Sequence, residues 1–266
     1  MTVYFPFVQP DLCERKPIRT TKRNVLGQNI MATRKMLDVY HRITYVYDKI
    51  STRQYRIINN FFRKMSGGVD SFYLVDWGDP RLVKSITGDQ VVLNNVDGLT
   101  VNVGAGGNRI ILWENHAGDY GNDSEVSGNV LTDKTKSWTA SAFGGHQLMD
   151  SVGTEHNASL TSENTAKTFT MTLNATPMPG AYDIYQYIDR TIASLIHVDR
   201  KLRLNASPIL AYSQMGQLAL PVYECHFESD SLGSLEQTGE FNLESSDNYG
   251  PFWSGEISFT QAGTGT

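Results

Sequence analysis

The sequence predicts a mainly β fold with two short helices, arranged as a β-sandwich-like core carrying an inserted small β-module. Three observations point there. Runs rich in Val, Ile, Tyr and Thr recur along the chain, punctuated by Gly, Asn, Asp and Pro. Only two stretches, 51–65 and 181–196, place apolar residues at helical spacing. Hydrophobic residues make up 40% of the 266, enough for a sizeable core, and no apolar run approaches the ~20 residues that span a bilayer.

Residues 1–25 hold Pro6, Pro10 and Pro17 among polar and basic side chains and read as an extended arm with one edge strand. The stretch 39–47 is dense in β-branched and aromatic residues, with Val39, His41, Ile43, Tyr45 and Tyr47 alternating onto one face. His41 there reads as a hydrogen-bonded structural histidine. Ser51 and Gln54 form a capping box, and Tyr55, Ile58, Phe61, Phe62 and Met65 share the apolar face of the helix that follows. Gly67 and Gly68 stop it, and Phe72, Leu74 and Val75 lead into a turn at Asp76, Trp77, Gly78, Asp79 and Pro80.

From 82 to 113 short strands alternate with turns at Gly88-Asp89, Asp97-Gly98 and 104–108, with a hairpin expected around Asp97-Gly98. Gly104, Gly106 and Gly107 lack the following Lys-Ser/Thr of a phosphate loop and read as a turn. The polar stretch 114–130 reads as a solvated loop; Glu114, His116, Asp119, Asp123 and Glu125 lack calcium-loop spacing. After Met178-Pro179-Gly180, the residues Ile184, Tyr187, Ile188, Ile192, Leu195 and Ile196 recur at helical spacing, with Asp183 near the N-terminal end, and predict the second helix. Strands at 202–213, 218–229, 235–245 and 255–261 complete the chain. The domain reading is 1–85 for the first part of the core, 86–176 for the inserted module, and 177–266 for the segment that closes the core.

Charge is unevenly distributed. Residues 1–66 hold 13 Lys and Arg against 4 Asp and Glu, whereas no Lys or Arg follows Arg203 in a chain of net charge −5. The acidic total argues against a dedicated nucleic-acid binder. Opposite ends of unlike charge suit intramolecular pairing or head-to-tail subunit contact. The start lacks the regions of a signal peptide, which predicts cytoplasmic synthesis, and Cys13 and Cys225 are expected as free thiols.

No residue set points to a catalytic centre, a metal or a cofactor. His146, Asp150 and His156 fall within a turn-rich stretch with no second cluster to complete a metal shell. Ser151 and Ser229 lack a nucleophile elbow, and Glu224, Glu228, Asp230 and Glu236 lack an aromatic-lined subsite beside them. The sequons at Asn122, Asn157, Asn174 and Asn205 mark only an Asn/Ser/Thr-rich β surface.

Two stretches carry a resemblance. Phe5, Pro6 and Phe7, then a helix ending in Phe61-Phe62, Gly67-Gly68, and the strand bearing Phe72, Asp76 and Asp79 resemble the N-terminal half of distal tail proteins of tailed bacteriophages. It covers roughly residues 1–85. Leu131, Thr132, Asp133, Trp138, Phe143, Gly145, Leu148, Ser162 and Asn164 follow the order of a small β-module of phage tail, baseplate and fibre proteins, over about 45 residues. The resemblance implies a virion structural protein rather than an enzyme: a distal-tail or baseplate-hub component whose ring of subunits joins the tail tube to the tip. The implied partners are further copies of the chain, tail-tube and tip or hub proteins, and tail fibres, with no membrane and no specific nucleic acid. In such a ring, Arg15, Lys16, Arg19, Arg53, Arg56 and Arg63 of one subunit would meet Glu228, Glu236, Glu240 and Glu244 of the next. The alternative is a receptor- or carbohydrate-binding tail adaptor, with Trp113, Tyr120, Trp138, Tyr249 and Trp253 as sugar-stacking candidates. A glycan hydrolase using Glu224 and Glu228 stands third.

Overall fold

In a computed structural model, residues 3–22, 35–101, 108–139, 146–152, 154–157, 165–171, 176–206, 218–232, 235–242 and 250–262 are described. The fold is mainly β, and among these residues there is one helix. In chain order the first elements are β1 (Leu12–Lys22), β2 (Lys35–Ile50), α1 (Thr52–Lys64), β3 (Phe72–Val75), β4 (Arg81–Thr87), β5 (Gln90–Leu93) and β6 (Arg109–Gly121). Short strands follow: β7 (Glu125–Ser127), β8 (Val130–Thr132), β9 (Gln147–Met149), β10 (Glu155–Asn157) and β11 (Thr168–Thr170). The chain ends with β12 (Tyr182–Ile196), β13 (Lys201–Leu204), β14 (Leu218–Phe227), β15 (Leu235–Asn242) and β16 (Gly250–Gln261).

Six strands pair in a closed cycle, β14, β4, β5, β13, β12, β6 and back to β14, every pairing antiparallel. They make a barrel where a sandwich-like core was expected. Strand β6 supplies the closure by reaching both β12 and β14, so the sheet shuts on itself and satisfies edges that a sandwich leaves open. Val83, Val91, Leu93, Ile110, Leu112, Ile192, Leu202 and Ala219 fill its core. The 4–5 hairpin turns at Gly88, whose φ of 59° suits glycine. Asp97-Gly98 also forms a turn, but residues 99–101 after it are not strand, and the rest of the strand expected to complete a hairpin there, with Gly104, Gly106 and Gly107, lies outside the described residues.

Strand β14 leaves the barrel at Val222 and continues into a second region. There it pairs with β3 on one side and, from Cys225 to Phe227, with β16 on the other. Beyond β16 lie β2 and then β1, while β15 pairs the other end of β16. Helix α1 packs here through Ile58 and Phe61, with Met65 just past its end. Its capping box is present: Ser51 Oγ accepts from Gln54 N at 3.2 Å, and Gln54 Oε1 accepts from Ser51 N at 2.9 Å. Both Ser66 and Gly67 take positive φ after the last turn.

The N-terminal segment is anchored deep in this region. Phe5 N donates to Tyr73 O and Tyr73 N donates to Val3 O, each at 2.8 Å. The Phe5 ring lies 5.0 Å from Phe259, 5.6 Å from Phe61 and 5.7 Å from Tyr45, with steep edge-to-face angles. Tyr4 and Phe7 pack on the other side, against Ile111, Tyr187 and Leu220 on the outside of the barrel. The expected arm is thus half buried anchor and half edge strand.

Two sequence expectations are corrected. The second helix, read over 181–196, is strand β12. Its register shifts between Asp183 and Tyr185, between Tyr185 and Tyr187, and between Ile192 and Ser194. Each irregularity breaks the period of two, and the strand serves three apolar clusters, so its buried residues mimic helical spacing. The loop read over 114–130 is strand through Gly121 and again over Glu125–Ser127. Within 86–176, β5 and β6 are barrel staves, while β7, β8 and β11 form a separate three-stranded sheet. Leu131, Leu148, Phe169 and Tyr182 are the core of that unit, with Trp138 packed against it.

Phe5→Ala is expected to cost about 3–5 kcal/mol, because the buried ring would leave a cavity among fixed aromatic neighbours. Urea unfolding of the variant against the parent chain measures it.

Candidate functional site

The densest polar constellation joins edge strand β1 to the turn between β3 and β4. Asp76, 1% exposed, sits where β3 ends. Its Oδ2 accepts from Arg15 Nη1 at 2.8 Å, and its Oδ1 accepts from Gly78 N at 3.1 Å. Arg15 Nη1 also donates to the Tyr223 hydroxyl at 2.5 Å, and Nη2 lies 3.6 Å from Asp79. Asp79 in turn accepts from Arg81 at 2.6 Å, and Arg81 donates to the carbonyls of Asn95 and Asp97. A polar cleft of about 400 Å³ opens beside this network, lined by Arg15, Asp79, Arg81, Asn95 and Asp97.

Burial pushes the Asp76 carboxyl above its usual range, against the opposing pull of Arg15. Burial, reinforced by the Asp76 charge, pushes the Cys13 thiol up to about 12, and burial likewise raises Tyr223 to about 12. Burial also pushes the Cys225 thiol well above its usual value. Both thiols are free and held protonated, so neither is primed as a nucleophile. The network is a clamp: it fastens the near end of β1 to the body through charge-assisted hydrogen bonds.

A second buried pair docks α1. Arg53 donates to Asp183 Oδ1 and, at 3.3 Å, to Tyr182 O, with its guanidinium 4.4 Å from the Tyr120 ring. Burial raises the Asp183 pKa while Arg53 opposes it. Near the three-stranded sheet, Asp133 accepts from the Tyr182 hydroxyl at 2.8 Å, and Asp119 accepts from Trp138 Nε1 at 2.5 Å. The strand bearing Asp76 and Asp79 was singled out in the sequence; Arg53–Asp183 was not, because its partners are 130 positions apart.

The other charged candidates separate into groups. Arg15 and Arg53 are engaged within the chain as described. Lys16 is exposed and pairs with Glu14 at 2.5 Å. Arg56 and Arg63 are exposed on α1, and Glu236 is exposed on β15, without an ion pair among the described residues. Glu228 pairs with Arg42 and Glu240 with Lys49, each at 2.6 Å, so basic N-terminal and acidic C-terminal strands do meet inside one chain. The Arg19 side chain and Glu244 lie outside the described residues.

His156 Nε2 lies 3.0 Å from Asp150 Oδ2, an oxygen that also accepts from Met178 N, while Oδ1 holds Val152 N and Thr154 N. His146 is buried nearby in sequence, and among the described residues no group of three His, Cys, Asp or Glu is placed to hold a metal. Ser151 Oγ donates to Pro179 O, Ser229 faces Ser231, and exposed Glu224 accepts from Ser71 Oγ. His41 Nδ1 is 3.0 Å from Gln261 Oε1, as a structural histidine would be. Of the aromatic candidates, Trp253 stacks on Tyr55 at 3.6 Å and Trp113 on Phe7 at 5.6 Å; Tyr120 is exposed, and Tyr249 lies outside the described residues.

No family model matches this sequence, and no curated protein matches it. No helix among the described residues is long and apolar enough to cross a membrane.

At pH 8 a thiol with a pKa near 12 is thiolate in about one part in ten thousand, so Cys13 is expected to react with iodoacetamide far more slowly than a cysteine peptide. Timed alkylation read by mass spectrometry checks this. A native Asp76 pKa above the unfolded value means that the folded chain takes up this proton first as the pH falls. The ionised group therefore costs stability above its native pKa, and the cost is gone below the ordinary value of 3.8. Asp76→Asn lacks that compensation, so its stability is expected to fall more steeply than the parent's between neutral pH and 3.8, in urea unfolding.

Proposed function

We propose that this chain is a structural subunit of a tailed-phage virion, a distal-tail or baseplate-hub component whose copies form a ring between tail tube and tip. The resemblance of residues 1–85 and of the Trp138 module motivates the setting. One observation carries the assembly reading: β1, β2, β16 and β15 lie side by side within the large sheet, with basic β1 at one edge and acidic β15, paired among the described residues with β16 alone, at the other. Unlike charge on opposite edges of one sheet favours a heterologous, head-to-tail contact, which closes into a ring when the rotation between copies permits. The clamp at Asp76 and the buried pair at Asp183 support the same reading, since they spend charge on rigidity of the subunit. Tail-tube, tip and fibre proteins are the neighbours this role requires.

Purified protein is expected to form closed rings that loosen as salt rises, seen by mass photometry with negative-stain microscopy. A monomer at every concentration and salt, alone and with tail-tube protein added, would count against the reading.

A further inference from the structure

The cleft beside the Asp76 clamp has unused hydrogen-bonding capacity along its walls. It measures about 400 Å³, within the range of sites that enclose a small molecule, and every residue lining it is described. Arg81, 3% exposed, forms part of the wall, and among the described residues its buried Nε has no hydrogen-bond partner. A buried donor left over in this way is uncommon in a folded chain. Arg15 Nη2 lies 3.6 Å from Asp79 Oδ2, beyond a hydrogen bond, so this donor is only loosely engaged. Asp79 accepts from Arg81 on Oδ2, and its Oδ1 has no partner among the described residues. Asn95 uses its side-chain oxygen on Asp97 N and keeps its amide Nδ2 as a donor. The exposed Asp97 carboxylate accepts from no described group.

Charge decides which ligands suit this wall. A phosphate would have to enter beside Asp76, Asp79 and Asp97, and a bare cation would have to enter beside Arg15 and Arg81. Arg15 and Arg81 already balance Asp76 and Asp79. What remains is a set of separate donors and acceptors around a small space, with the Asp97 carboxylate at the rim. A neutral molecule that donates and accepts at neighbouring atoms fits it, and vicinal hydroxyls do both. The two oxygens of a carboxylate accept from such hydroxyls, while a guanidinium or amide N–H donates to their lone pairs. Because both arginines are fixed by carboxylates before any ligand arrives, the wall is preorganised.

We propose that this cleft binds a neutral, hydroxyl-rich ligand, a pyranose sugar, with Asp79 and Asp97 accepting from its hydroxyls and Arg15 and Asn95 donating to them. The inference goes beyond the ring reading and does not depend on it. The residues lining the cleft include no aromatic ring, so hydrogen bonds carry the affinity, which is expected in the millimolar range.

The test titrates the full chain with the methyl pyranosides of glucose, galactose, mannose and N-acetylglucosamine, read by isothermal calorimetry, with sodium phosphate and calcium chloride as charged probes. At least one pyranoside is expected to bind. Asp97→Ala, whose carboxylate has no partner within the chain to lose, is expected to weaken that binding about tenfold at an unchanged melting temperature. Hydrogen exchange of the parent chain needs no variant: bound sugar is expected to slow exchange in peptides spanning 76–82 and 94–99. Should Asp97→Ala lower the melting temperature, that exchange map decides. No binding by any of the four pyranosides overturns the proposal, and so does equal affinity in Asp97→Ala or protection confined to other peptides. Phosphate or calcium binding in place of the sugars overturns it as well.

Discussion

The main-chain pairing of β14 is the constraint on which the rest of the molecule depends. Its first half closes the barrel between β4 and β6, and its second half is held between β3 and β16. One strand therefore belongs to two cores. Leu220 and Val222 face the N-terminal segment, while Tyr223, Cys225 and Phe227 belong to the aromatic cluster under α1. A displacement of β14 would open the barrel and unseat the outer sheet together, so the two regions cannot behave as independent modules.

Polar contacts then lock what hydrophobic burial leaves adjustable. Arg15–Asp76 fixes where the edge strand starts, Arg53–Asp183 fixes the helix against β12, and Arg109 with Asp189 ties β6 to β12 by a two-pronged ion pair. Buried charges of this kind add little net stability after desolvation, but a wrong register leaves them unpaired at high cost. Their contribution is to the uniqueness of the arrangement.

The parts legible in the sequence are those whose signals are local. The capping box at Ser51, the alternation of Ile43, Tyr45 and Tyr47, and the glycine stop at Gly67 need only near neighbours, and each has its expected form. Strand β12 was unreadable by spacing because its irregular register and its three apolar neighbours scramble the period of two. Its wealth of Tyr, Ile and Thr was the better signal. Barrel closure through β6 could not be read at all, since it depends on pairings with strands some 70 and 110 positions away. For the site, Asp76 and Asp79 stood out by pattern, but their partners Arg15 and Tyr223 are brought in by tertiary structure alone.

The burial of Phe5 sets an order of events during synthesis. Its ring packs against Phe227 and Phe259, residues that leave the ribosome more than 200 positions after it. Phe5 is thus made long before it is satisfied, and its ring stays without its final partners until β14 and β16 have emerged. Pairings this distant along the chain make folding slow and leave apolar surface exposed meanwhile. The aromatic core is therefore closed only once β16 has been made, however early its first ring is synthesised.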